Sequence, residues 1–175
     1  MSRWGAESMQ VGLNLGVVTV SGTWRPSAVE RQAAWELYVE LITRVAVVPL
    51  EPQAGLLREA LTSLHSLFGS TREILRRHGP TVAQPQDDDG HSFGELAVLV
   101  LNLELRPLLA RWHPLLEQWE AGRPDGRSRT EHEDAWPHAA QLRQELERVG
   151  VRLLAYADLL AEAAQVPPLT WPRGR

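Results

Sequence analysis

Between residues 11 and 24 the apolar positions alternate. Val11, Leu13, Leu15 and Val17 are followed by Val18 and Val20, with Gly12, Gly16 and Gly22 between them. A period of two is that of a β-strand. A short strand or hairpin is not stable alone, so this arm must pack on the rest of the chain or pair with another one. Beyond it the period changes to three and four, and helices are expected over 28–48, 54–78, 93–121 and 131–164. The first stripe is Ala34, Leu37, Leu41, Val45 and Val48, closed by Pro49. The second is Leu57, Leu61, Leu64, Phe68, Thr71, Leu75 and His78, with a cationic last turn and Gly79-Pro80 as its stop. The third carries Leu105, Leu108, Trp112, Leu115 and Trp119, and is apolar nearly all round before them. The fourth carries Ala139, Leu142, Leu146, Val149, Leu153, Tyr156, Leu160 and Ala163.

Three S/T-x-x-E patterns mark helix starts. They pair Ser27 with Glu30, Ser92 with Glu95, and Thr130 with Glu133. In such a box the hydroxyl and the carboxylate satisfy amides that the helix leaves unbonded. Seams spaced three and four residues face partner helices. The expected fold is therefore all-α: a four-helix bundle with a kinked third helix and a short β-like N-terminal arm. The expected organisation is an arm over 1–24, a bundle over 25–165 and a Pro/Arg-rich tail over 166–175.

Composition narrows the chemistry. The 175 residues suit one domain. With 43% hydrophobic and 23% charged residues the chain is an ordinary globular one. It has no cysteine, which removes thiolate nucleophiles and Cys-ligated metals. It has no lysine either, all 18 cations being arginine, which removes Schiff-base chemistry and a phosphate-loop lysine. The net charge of −4 is spread evenly along the chain, so general nucleic-acid binding is not expected. The longest apolar runs, 96–101 and 45–50, are too short to span a membrane, and a cytoplasmic protein is expected.

The third helix holds the main candidate site. Seven residues turn a helix by about 700°, so Arg106 and His113 share a face. Asn102 and Glu117 extend it to a polar seam, Asn102, Arg106, His113 and Glu117, beside the tryptophan stripe. Pro107 and Pro114 leave the carbonyls of Leu103 and Ala110 without their helical donors. Arg106 or Arg111 is placed to supply one. An arginine and a histidine so spaced on a helix resemble the R-x(4–6)-H signature of the HEPN ribonucleases, themselves four-helix bundles. The resemblance implies a metal-independent ribonuclease in which Arg106 and His113 contact phosphate and act as acid and base, with RNA as the substrate. The sequence departs from that pattern at Pro107, where a polar residue usually follows the arginine.

No metal or cofactor is expected. The segment 132–138 sets its two histidines six apart with Pro137 between them, unlike the zinc motif H-E-x-x-H. Asp87, Asp88 and Asp89 lack the spacing of a calcium loop. Arg123, Arg127 and Arg129 lie in a Gly/Pro/Ser-rich loop, which is expected to be solvated but offers contacts to phosphate or an acidic partner.

The phrases A-W-E-L-Y-V-E at 34–40 and L-R-P-x-L-x-x-W-H-P at 105–114 resemble an uncharacterised group of small all-helical bacterial proteins. That resemblance implies a bacterial origin and no particular activity. The leading expectation is a non-enzymatic protein-interaction or oligomerisation module, extending to an accessory part of a bacterial signalling or defence system. Its partner is a protein or a second copy. Trp4, Trp24 and Trp171 lie outside the expected helices and are its candidate interface anchors.

Overall fold

The computed structural model describes residues 8–44, 47 and 54–169. The chain is mostly helical, with one small antiparallel sheet near its N-terminus. Strands β1 (Met9–Asn14) and β2 (Thr19–Trp24) form a hairpin in which Leu13 faces Val20 and Met9 faces Trp24. The alternation works as expected. Met9, Val11 and Leu13 are buried while Gln10, Gly12 and Asn14 face out. The arm pairs with itself, and β1 packs on the last helix.

Helix α1 (Ala28–Ile42) opens on a complete capping box. Ser27 Oγ accepts from Glu30 N, and Glu30 Oε2 accepts from Ser27 N at 2.8 Å. It stops short of the expected residue 48. The Thr43 hydroxyl donates back to the Val39 carbonyl at 2.7 Å, and Arg44 leaves the helix row for Ser63, Ser66 and Ser70 of α2 (Leu57–His78). Pro49 lies outside the described residues. Helix α2 ends on Gly79, whose φ of 71° lies in the left-handed region that suits a glycine stop.

The expected third helix is a continuous rod with a change of pitch. Helix α3 (Phe93–Leu99) passes into a π-helical segment (Val100–Leu105) and then α4 (Arg106–Ala121). Within it, Arg106 N–H reaches back five residues to the Leu101 carbonyl. The wider turn ends just where Pro107 has no N–H to give. It also rotates the C-terminal half of the rod: Leu116 is fully buried and Leu115 is 39% exposed, the reverse of the expected stripe.

The expected fourth helix is split by Pro137 into α5 (Arg129–Asp134) and α6 (Ala139–Ala163). Its cap is Ser128 with Glu131, not Thr130 with Glu133. In the core, α1 packs against α2 and α6, and α2 against α4. Among the described residues no helix is long and apolar enough to cross a membrane.

Candidate functional site

Helices α2 and α4 meet along a polar face. Near its centre Arg58 donates to Glu120 at 2.8–3.2 Å and, through Nη1, to His113 Nδ1 at 2.8 Å. A guanidinium only donates, so Nδ1 must be the accepting nitrogen and the ring proton sits on Nε2. That Nε2 is buried and has no hydrogen-bond partner among the described residues. His65 stands edge-on to the same ring, with centroids 5.8 Å apart. Burial, then the Arg58 charge and His65, hold the His113 pKa below the usual histidine value, against the opposing pull of Glu117 and Glu120. His113 is therefore a neutral acceptor at neutral pH.

Arg106 lies farther along the rod and is engaged differently. Its Nε and Nη2 both donate to Asn102 Oδ1, at 3.0 and 2.9 Å, and its guanidinium lies over the Phe68 ring at 5.4 Å. The expected seam is thus two separate groups. Asn102 and Arg106 are joined to each other, whereas His113 is joined to Arg58. Glu117 is exposed and acts on His113 only through its charge. Arg106 and His113 share no hydrogen bond. Nor does either arginine serve a proline-freed carbonyl: Arg111 pairs with Glu145 and stacks on Trp112.

Beyond Glu120 the face opens on a cavity of about 270 Å3, lined by Leu56, Arg58, Trp119, Glu120, Arg123, Arg129, His132 and Glu133. Its inner wall is well ordered by its own bonds. Trp119 and His132 stack 4.7 Å apart at 11°. Glu133, 6% exposed, accepts the Leu57 N–H on both oxygens at 2.9 Å and pairs with Arg143 at 3.2 Å. It caps α2 from 76 residues away. Burial pushes its pKa above the ordinary carboxylate value despite the amide bonds and Arg143. The sequence points to Glu133 as a local cap. Ser128 and Thr130 each have a glutamate three residues on, and spacing cannot choose between them. Of the three helical tryptophans Trp35, Trp112 and Trp119, the last lines this cavity.

Trp24, expected as an interface anchor, is fully buried. Its indole N–H donates to Glu30 Oε1 at 3.1 Å, and the same oxygen accepts the Phe93 N–H at 2.8 Å. Glu30 thereby caps α1, meets the start of α3 and anchors β2. An inward position on β2 explains the correction: Trp24 continues the buried side of the strand that Val20 begins. Trp4 and Trp171 lie outside the described residues. Among the described residues no group of three histidines or carboxylates is set to hold a metal ion. No family model, curated protein or solved structure matches this chain.

Proposed function

We propose that the protein is a non-enzymatic interaction module, its helices arranged as a four-helix bundle of α1, α2, the α3–α4 rod and α6. Its docking surface is the hairpin tip and the neighbouring part of α6, and its first occupant is a second copy of the chain. The observation that carries this reading is Val17. It is 90% exposed at the tip of a hairpin whose strands otherwise turn their apolar residues inward. Val18 beside it is 42% exposed, and Val151 of α6 is 63% exposed. The tip sits against α6, since a Cβ at Gly16 would lie 3.8 Å from Arg152. Exposed apolar side chains gathered at one end favour contact with another surface.

The ribonuclease-like reading is less well supported. Arg106 is open to solvent, but His113 has one ring nitrogen bonded to Arg58 and the other buried. A general acid or base needs a nitrogen within reach of the substrate proton.

The chain has no cysteine, so Val17→Cys supplies a unique thiol. An environment-sensitive dye attached there should shift to the blue as protein concentration rises. The same dye on Gln118→Cys, on the far-facing side of α4, should not respond. A concentration-independent spectrum at position 17 would overturn the reading.

A further inference from the structure

Two arginines on the cavity beside α5 carry charge that the fold does not answer. Of the lining carboxylates, Glu120 is paired with Arg58 at 2.8 Å, and Glu133 is held by the Leu57 amide and Arg143. Arg129 has no ion-pair or hydrogen-bond partner among the described residues. Arg123 gives one Nη1 bond, at 2.7 Å, to the Arg127 carbonyl and meets no carboxylate there. Both guanidinium groups line the same 270 Å3 space. The N-terminal end of α2, 22 residues long, adds partial positive charge to it.

The remaining wall suits a particular kind of molecule. The Trp119 ring, held in place by its stack on His132, offers an apolar surface for C–H groups. His132 is 5% exposed, and its Nδ1 has no hydrogen-bond partner among the described residues. Its Nε2 donates to the Trp119 carbonyl, so Nδ1 carries a lone pair rather than a proton. Buried polar atoms left in this state are uncommon. A hydroxyl group on a ligand would supply the missing donor.

We infer that this cavity binds a small hydroxyl-bearing phosphate monoester, of the polyol phosphate class. Arg123 and Arg129 take the dianionic phosphate, whose oxygens match the planar guanidinium fork. The organic part lies along Trp119, with a hydroxyl toward His132. The small volume excludes a dinucleotide or a polymer. The site is separate from the hairpin tip, so ligand binding and self-association succeed or fail independently.

The test is calorimetric titration of the full chain with glycerol 2-phosphate, inorganic phosphate and glycerol, at fixed ionic strength. Saturable binding is expected for glycerol 2-phosphate, weaker binding for inorganic phosphate, and none for glycerol. The double variant Arg123→Gln/Arg129→Gln should bind at least about tenfold more weakly with its melting temperature unchanged. In the native chain, the Trp119 indole N–H resonance should move with the same saturation curve, a readout that needs no variant. Absence of saturable binding to either phosphate overturns the inference, as does undiminished binding by the double variant. Equal affinity for the two phosphates overturns the assignment of the organic part.

Discussion

Trp119 and His132 hold each other by two reciprocal hydrogen bonds. The Trp119 indole N–H donates to the His132 carbonyl at 2.8 Å, and His132 Nε2 donates to the Trp119 carbonyl at 2.8 Å. The rings stack between the two bonds. The last turn of α4 is thereby fixed to α5, a helix of six residues that is too short to be stable by itself. Trp119→Phe keeps a stacking ring and removes one donor, and is expected to cost about 1 kcal/mol. His132→Ala removes the stack as well and is expected to cost about 2 kcal/mol or more. Denaturant unfolding of the two singles and the double should show a coupling of at least about 0.5 kcal/mol. Simple additivity would mean that the two residues act separately.

Glu133 makes a sharper distinction between charge and hydrogen bonding. Burial raises its pKa, so the site favours a neutral acceptor more than an exposed cap would. Glu133→Gln keeps an oxygen for the Leu57 N–H and should cost less than about 1.5 kcal/mol. Glu133→Ala leaves that amide and Arg143 without their partner and should cost about 2–4 kcal/mol. Urea midpoints of the two variants check the order. Equal losses would show that the carboxylate charge, not the acceptor, holds α2 to α5.

Gly22 is where the hairpin needs glycine. Its φ is 146°, and an added Cβ would lie 2.9 Å from His91 Nε2. Gly22→Ala is expected to lose about 2 kcal/mol or more, from backbone strain and the displaced imidazole together. At Gly12, on the other strand, a Cβ meets nothing within 4 Å. Gly12→Ala should be neutral to slightly stabilising by thermal melting. A neutral Gly22→Ala would contradict the close approach of His91.

His91 ties the hairpin to the start of α3. Its ring nitrogens reach the Ser21 carbonyl and Glu95 Oε2, each at 3.0 Å, and its backbone N–H donates to the Thr23 carbonyl at 2.7 Å. Only the protonated ring donates to both acceptors. Burial alone would lower the pKa, but the Ser21 carbonyl, the Glu95 hydrogen bond and the Glu95 charge outweigh it, and the pKa is raised. A histidine raised above its unfolded value contributes stability that is fully present below about pH 6.5 and is lost as pH rises through the folded value. The melting-temperature difference between the native chain and His91→Gln should therefore shrink from pH 6 to pH 8. A difference that stays constant or grows would contradict the latch. Referring to the variant cancels the opposite trend from His113, whose pKa is lowered.

Much of this architecture can be read from local pattern. The alternation from Val11 onward specifies the hairpin, because period two fixes which side of a strand is buried. Ser27 with Glu30 and Ser92 with Glu95 specify two helix starts through contacts three residues apart. What the sequence hides depends on long-range contact or on a change of pitch. The π-helical turn before Pro107 exchanges Leu115 for Leu116, which no fixed helical period anticipates. No local signal separates Arg58 from other surface arginines, yet it takes His113 away from Arg106 across 55 residues. Trp24 reads as an anchor because it lies outside the helices. Its burial depends on Glu30 accepting its N–H, a pairing between a strand end and a helix cap.

The exposed hairpin tip is the basis of the proposed function, and the mass of the protein in solution tests it most directly. Light scattering across a wide concentration range should give a mass that rises above the 19.6 kDa of one chain. Val17→Asp should return it to one chain without altering the melting temperature, since the side chain is almost wholly exposed. A mass of 19.6 kDa at every concentration, or an assembly that survives Val17→Asp unchanged, would contradict the account.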